Sequence, residues 1–200
     1  MLYTIGYTSY DVPGLIAVVQ KLGITAIADV RSMPYSALHP EYNRDKLKEI
    51  LRNSGVQYVF LGDLVGARYD DPDVYDGNAV DYARVSRLPT FRKGLERIVD
   101  GATRHVIALM CAEKDPVTCH RMILICRNMR NELSIRHILA DGKVESHEHA
   151  ELRLMRLFGL DRLDLLGRSE QERLEDAYQR QGKLIAYKAD APDAAHRQAV

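Results

Sequence analysis

Short apolar, β-branched runs alternating with stretches of helical periodicity constrain this chain more than any other feature. The runs are Leu2 to Ile5, Ala26 to Val30, Val56 to Leu61 and Val106 to Met110. Helical patterns fill the gaps between them, which predicts βαβ units and a mostly parallel sheet with helices on both faces. The expected class is α/β, a three-layer α/β/α arrangement of Rossmann-like or flavodoxin-like type. Val12, Leu15, Ile16, Val19 and Leu22 form the first helical stripe, with Asp11 as N-cap, Pro13 in the first turn and Gly23 as the stop. Leu47, Ile50 and Leu51 form a second stripe ending near Gly55, and Phe91, Leu95, Ile98 and Val99 a third ending near Gly101. A fourth helix is expected from Asp115-Pro116, because Met122, Ile125, Cys126, Met129 and Leu133 then share one face. Ile135 to Leu139 follows as a fifth strand, and Ser146 caps a further helix. Polar residues gather after the first and fourth strands, so these two are expected side by side at the topological switch point, in strand order 3-2-1-4-5.

One α/β domain over residues 1–160 fits a chain of 200 residues with 46% hydrophobic content. A charged, solvated helical extension is expected over 161–188, and the tail from 189 to 200 has too little to bury and is expected to be disordered. Asp63 to Ala79, rich in Asp, Gly and Tyr, reads as a long functional loop. The 28 basic side chains balance 28 acidic ones, so no overall field draws the chain to nucleic acid. A patch would have to come from Arg44, Lys46, Lys48, Arg52, Arg68, Arg84, Arg87, Arg92 and Lys93, and a scattered solvated surface is the simpler reading. No apolar run approaches the ~20 residues of a membrane span. The first residues lack the basic and apolar regions of a signal peptide, so a cytoplasmic location is expected. Cys111, Cys119 and Cys126, within sixteen positions, read as reduced thiols.

In open parallel sheets ligands bind beyond the carboxyl ends of the strands. Tyr7, Thr8 and Ser9 follow the first run; Asp29 closes the second, with Arg31 and Ser36 after it; Arg68 follows the third; Cys111 and Glu113 follow the fourth. The segment Cys111-Ala-Glu-Lys-Asp-Pro-Val-Thr-Cys-His-Arg121 is the densest reactive cluster in the chain. A helix starting there would offer free N–H groups and partial positive charge to an anion, and Arg121 a forked cation. The same field favours thiolate. Cys119 fits the apolar stripe of that helix equally well, and Cys126 reads as a core residue. Asp29 and Arg31 are equally a bracing salt bridge, although a strand-end arginine facing a crevice commonly holds an anion. His147 and His149 carry no site by themselves.

Known templates fit this cluster poorly. Cys111 lies ten residues before Arg121 and Cys119 two, which is not the spacing of a cysteine-phosphatase loop. A metal reading uses Cys111, Cys119 and His120, has no Cys-x-x-Cys knuckle, and imports a fourth ligand such as His147 or His149. Gly6-Tyr-Thr-Ser lacks the later glycines of a dinucleotide fingerprint.

Thr4-Ile-Gly-Tyr-Thr-Ser9, Asp29-Val-Arg31 with Pro34 and Ser36, Tyr58 through Arg68, and Leu109-Met-Cys-Ala-Glu-Lys-Asp-Pro116 leading to Cys119-His-Arg121 resemble a bacterial and archaeal family, domain of unknown function 488, over residues 1 to 150. The resemblance implies a compact α/β domain with a shared site and names no activity. Tyr7 stands where the family pattern leads one to expect histidine, and Val65 where a glycine is usual.

The leading expectation is an enzyme, a hydrolase or transferase acting on a nucleotide-like or phosphorylated small substrate. Cys111, Glu113 and His120 are the candidate catalytic residues; Tyr7, Thr8, Ser9, Asp29, Arg31, Ser36, Arg68, Cys119 and Arg121 are the candidate substrate contacts. Arg31 and Arg121 would bind the anion, Glu113 or His120 move protons, and Cys111 serve as nucleophile in a covalent route. The alternatives are a non-catalytic ligand-binding or nucleic-acid-processing accessory module using the same arginines, and a metal-binding protein. The sequence specifies neither a cofactor nor an oligomeric state.

Overall fold

The computed structural model describes residues 1–162 and 167–189. Its strands are β1 (Leu2–Gly6), β2 (Ala26–Asp29), β3 (Gln57–Phe60), β4 (Tyr75–Asp76), β5 (Ala79–Val80), β6 (Ile107–Cys111), β7 (Ile135–Ile138) and β8 (Val144–Ser146). Its α-helices are α1 (Val12–Lys21), α2 (Arg44–Asn53), α3 (Gly62–Val65), α4 (Tyr82–Val85), α5 (Pro89–Ala102), α6 (Arg127–Met129), α7 (His147–Leu157) and α8 (Glu170–Ile185). Six strands form one sheet in the order β3-β2-β6-β1-β7-β8, parallel except for β8, while β4 and β5 pair with each other as a hairpin.

Successive side chains of a strand point to opposite faces, and the core divides accordingly. On one face Tyr3, Ile5, Ile27, Ala108 and Met110 meet Leu15 and Val19 of α1 and Leu47 and Leu51 of α2. On the other, Leu2, Ala28, Leu109 and Cys111 meet Phe91 and Ile98 of α5, the segment from Met122 to Met129, Leu154 of α7 and Tyr178 of α8. The chain is therefore a three-layer α/β/α structure. Leu47 and Leu51 are fully buried, each worth about 1.5–3 kcal/mol, which pins α2 to the sheet.

The expected neighbours β1 and β6 do lie side by side, with Gly6 opposite Cys111. The expected order 3-2-1-4-5 is corrected, because β6 enters between β2 and β1, which do not pair. Ile107 to Cys111 is apolar at every position and buried throughout, so the strand needs cover on both faces and neighbours on both edges, which only the centre of the sheet supplies.

The segment after β6 also departs from expectation. Asp115 caps only the short 3₁₀ turn Pro116–Thr118; Cys119 then returns to extended backbone, with φ −131° and ψ 141°. A π-helical stretch, Arg121–Cys126, follows and continues into α6, and all six of its residues are buried. The expected stripe is thus one side of an element covered all round. Part of that cover is α8, which carries the capping box Ser169 with Glu172 and buries Leu174, Ala177 and Tyr178 rather than standing free as a solvated extension. The expected loop Asp63 to Ala79 contains most of α3, a 3₁₀ turn and the β4–β5 hairpin. Of the expected disordered tail, residues 190–200 lie outside the described residues, while Ala189 donates its N–H to the Asn78 carbonyl. Among the described residues no helix is long and apolar enough to cross a membrane.

Two glycines let the strand-end loops touch. A Cβ on Gly6 would lie 2.0 Å from the Glu113 carbonyl oxygen, and one on Gly62 would lie 1.9 Å from that of Arg31. Both positions exclude any side chain.

Candidate functional site

The carboxyl ends of β1, β2 and β6 converge because β6 lies between the other two. Thr8, in the turn after β1, donates its hydroxyl to the Ala112 carbonyl at 2.6 Å, fixing that turn to the loop after β6. From this loop the Glu113 carboxylate folds back onto two thiols: Oε2 lies 2.8 Å from Cys111 Sγ and 3.0 Å from Cys119 Sγ. His120 Nδ1 lies 3.7 Å from Cys111 Sγ and 3.8 Å from Cys119 Sγ. The other ring nitrogen, Nε2, stands 3.0 Å from the Val30 carbonyl and must donate there, which leaves Nδ1 facing the thiols. The extended backbone at Cys119 is what turns this thiol into the cluster instead of along a helix. Cys111, Glu113, Cys119 and His120 each offer one ligand atom, and these atoms lie within 4.8 Å of one another, so the four are also able to hold a metal ion.

Arg121 is wholly buried. Its Nη1 and Nη2 donate to the carbonyls of Glu113 at 2.6 Å and Lys114 at 3.0 Å, and Nε reaches Thr4 Oγ1 at 3.4 Å. The expectation that Arg121 grips a substrate anion is corrected: with its donors committed to the loop, it shapes the cluster and lends charge to it. Nor does a helix N-terminus face an anion here, since the Val117 N–H is taken by the Asp115 side chain and Cys119 N–H by the Pro116 carbonyl.

The charges follow from this packing. Hydrogen bonding from Cys119 and burial push the Cys111 thiol well up. Burial acts the same way on Cys119, but the Cys111 hydrogen bond, the Arg121 charge and His120 outweigh it and bring Cys119 well below the ordinary thiol range. Burial disfavours the charged His120 ring, yet the Cys119 contact and charge raise its pKa. Burial, followed by the Cys119 charge, raises the Glu113 carboxyl. Cys126 sits in the core, its thiol pushed up by burial.

On the β2 side, Asp29 accepts from Arg31 Nε at 2.9 Å and from Nη2 at 2.6 Å, and Tyr58 donates to the same carboxylate at 2.7 Å. Arg31 Nη2 also donates to the Tyr42 carbonyl at 2.9 Å, and its guanidinium lies over the Tyr7 ring, which stacks on Tyr42. The bracing reading of this pair therefore holds for part of the guanidinium. Two nitrogens brace the loop, while Arg31 Nη1 is buried without a partner. Ser9 Oγ and the hydroxyls of Tyr69 and Tyr82 are likewise buried and unpartnered. Three of the four are tied to the cluster: Ser9 follows Thr8, Arg31 follows the carbonyl held by His120, and Tyr82 feels the charges of Cys119, Glu113, Tyr69 and Cys111 after burial itself in the rise of its phenol pKa. An unpaired buried polar group costs about 1–3 kcal/mol, so such a group in a native fold calls for a partner.

A cavity of ≈ 1060 Å³ is lined by Tyr69 and, among others, by Ser32, the neighbour of Arg31 in sequence, Gly62, Arg68, Tyr75 and Tyr187, with Asp63 and Asp70 in its wall. Arg68 lies over the Tyr187 ring and faces this cavity rather than the thiols. Ser36 meets neither: its N–H donates to Asn43 and its hydroxyl accepts from His39, shaping the loop that delivers Tyr42 to Arg31. The fourth group beside the two thiols and His120 is Glu113, not His147 or His149. His149 pairs with Glu145 at 2.7 Å, and His147 is buried near Tyr178. Sequence reasoning missed Tyr69 and Tyr82; their only signal was the tyrosine-rich stretch after β3.

No curated protein matches the chain. A family profile described as "Domain of unknown function DUF488" matches residues 12–127. That stretch holds Arg31, Arg68 and the whole Cys111-to-Arg121 segment, leaves the Tyr7 turn outside, and is more than half of the 200 residues, so the chain belongs to this family of α/β proteins.

Proposed function

We propose that the chain is a hydrolase or transferase acting on a nucleotide-like or phosphorylated small substrate, with its chemistry at the Cys111–Glu113–Cys119–His120 cluster. The observation that carries this reading is the convergence of four reactive groups, with Arg31 Nη1 buried and unpartnered one residue beyond the Val30 carbonyl that His120 holds. Arg31 Nη1 is the natural anchor for an anionic group, because Asp29 and the Tyr42 carbonyl already hold the guanidinium rigid and binding orders nothing further. The cavity lined by Ser32, next in sequence to Arg31, offers Arg68 for a second anionic group, Tyr69 and Tyr75 for stacking, and Asp63 and Asp70 as acceptors for hydroxyls. Glu113, at the rim and with its carboxyl raised by burial and by the Cys119 charge, is the group suited to give and take protons.

Thermal shift against a panel of nucleotides and phosphorylated metabolites tests this. A true ligand at a hundredfold excess over its dissociation constant adds about 2.7 kcal/mol of stability. Arg31→Lys keeps a cation beside Asp29 and removes Nη1, so the shift is expected to shrink in this variant while the unliganded Tm stays close to wild type. A ligand whose shift survives both Arg31→Lys and Tyr69→Phe would place binding elsewhere and overturn the proposal.

A further inference from the structure

We propose that the cluster is a zinc centre, with Cys111 Sγ, Cys119 Sγ and His120 Nδ1 as its buried ligands and the Glu113 carboxylate closing the exposed side. This deepens the reading above and rests on the same site. The first argument is geometric. A tetrahedral zinc with bonds of ~2.0–2.3 Å sets its ligand atoms roughly 3.3–3.8 Å apart. Both thiols already stand 3.7–3.8 Å from His120 Nδ1. The Glu113 oxygen, 2.8–3.0 Å from the same two sulfurs, needs only a small outward shift.

The second argument is orientation. A metal-bound histidine donates its other ring nitrogen to a fixed acceptor, which sets the tautomer and aims the ligating nitrogen. The Val30 carbonyl does this for His120 Nε2. The third is charge. Arg121 is entirely buried, and its hydrogen-bond partners are two carbonyls and a hydroxyl, with no carboxylate among the described residues. A buried cation needs nearby negative charge. Two thiolates and a carboxylate carry three negative charges; a divalent ion takes two and Arg121 the third, leaving the buried site neutral. Thiolate, imidazole and carboxylate in tetrahedral array select zinc over magnesium or calcium, which take oxygen. With four protein ligands the ion has no open position, so it could hold and acidify a water only where Glu113 leaves it; with both thiolates held as ligands, Cys111 would not be the attacking group.

The test uses the full chain. Purified protein is expected to hold one zinc, with X-ray absorption giving two sulfur neighbours at ~2.3 Å and nitrogen or oxygen at ~2.0–2.2 Å. Cobalt substitution is expected to give a thiolate-to-cobalt band in the near ultraviolet. Cys111→Ser and Cys119→Ser are expected to lower zinc affinity at least tenfold and to remove part of that band, whereas Cys126→Ser keeps both. The cobalt spectrum of wild-type protein needs no variant to fold. A wild-type chain that takes up no zinc or cobalt, or that shows no sulfur neighbour, overturns the proposal. Turnover that is lost in Glu113→Gln from a chain holding no metal overturns the zinc centre and leaves the enzyme reading standing. Stoichiometric zinc on two sulfurs without turnover upholds the centre and counts against the enzyme.

Discussion

Two polar clusters, each holding histidine and a carboxylate, lie on either side of Arg121, and they differ in how far their bonding is completed. In the first, Cys111, Glu113, Cys119 and His120 converge, and Ser9, Arg31 and Tyr82, on segments tied to them, each keep a buried atom without a partner. In the second, Thr4 Oγ1 and His137 Nδ1 are 2.8 Å apart, His137 Nε2 and His147 Nδ1 2.9 Å, and His147 Nε2 and the Tyr178 hydroxyl 3.2 Å; that hydroxyl donates to Glu151 at 2.8 Å. Every donor finds an acceptor if both imidazoles are neutral and all the bonds run one way, from Arg121 through Thr4, His137, His147 and Tyr178 to Glu151. The chain begins at a buried cation and ends at a buried carboxylate that Arg130 also holds, at 2.8 Å. Such a network is complete, and satisfied networks rigidify a core. Histidine, tyrosine and carboxylate thus mark a site only where their bonding is left unfinished.

Breaking the shared residue is expected to have the largest effect. Arg121→Met strands the Glu113 and Lys114 carbonyls and takes a donor from the Thr4 hydroxyl, and about 3–5 kcal/mol of stability is expected to disappear in urea denaturation.

Glu151→Gln comes next. Burial raises this carboxyl, but His147, Arg130 and Tyr178 together bring it down to about 2. A depressed carboxylate contributes stability that is present above its unfolded pKa, ~4.3, and is lost as pH falls toward the folded value. The variant is therefore expected to cost roughly 2–3 kcal/mol at pH 7 and much less at pH 2.5, read from urea midpoints at the two pH values.

His137 acts over a higher window. Burial above all, with Arg121 and Arg153 nearby, holds it well below the ordinary imidazole range. The unfolded chain binds the extra proton first, so stability is expected to decline as pH falls below ~6.5. His137→Gln is expected to lower stability at pH 7 and to flatten this decline between pH 6.5 and 5; an unchanged slope would mean that the ring is not held neutral.

The smallest effects give the sharpest contrast. Tyr178→Phe removes a hydroxyl bonded to Glu151 and is expected to cost about 1–2 kcal/mol. Tyr82→Phe removes a hydroxyl with no partner and is expected to be neutral or to stabilise by up to about 1 kcal/mol, while weakening the ligand shift. Equal costs for the two would show that both clusters are finished.

Strands, helix caps and the residues of the reactive segment were legible because they depend on local pattern: Asp11 accepts from Gly14 N–H as an N-cap should, and Cys111 stands at a strand end. What required long-range packing was not legible. The insertion of β6 between β2 and β1 follows from burial demand across the whole sheet. The role of Arg121 depends on an extended residue at Cys119, where a helix was the local preference. Thr4, His137 and Tyr178 are scattered along the chain and meet only through β1, β7 and α8. Orphaned atoms such as Tyr82 Oη have no sequence signature at all, since what they lack is visible only once every other partner is placed.

The most direct test of the contrast is turnover per folded molecule on a substrate drawn from the anionic panel, with the two carboxylates amidated in turn. The account predicts that Glu113→Gln lowers turnover at least ~100-fold at nearly unchanged Tm. Glu151→Gln is predicted to lower Tm and leave turnover per folded molecule as in wild type. Turnover that survives Glu113→Gln and vanishes in folded Glu151→Gln would make the histidine chain the working site and contradict the account.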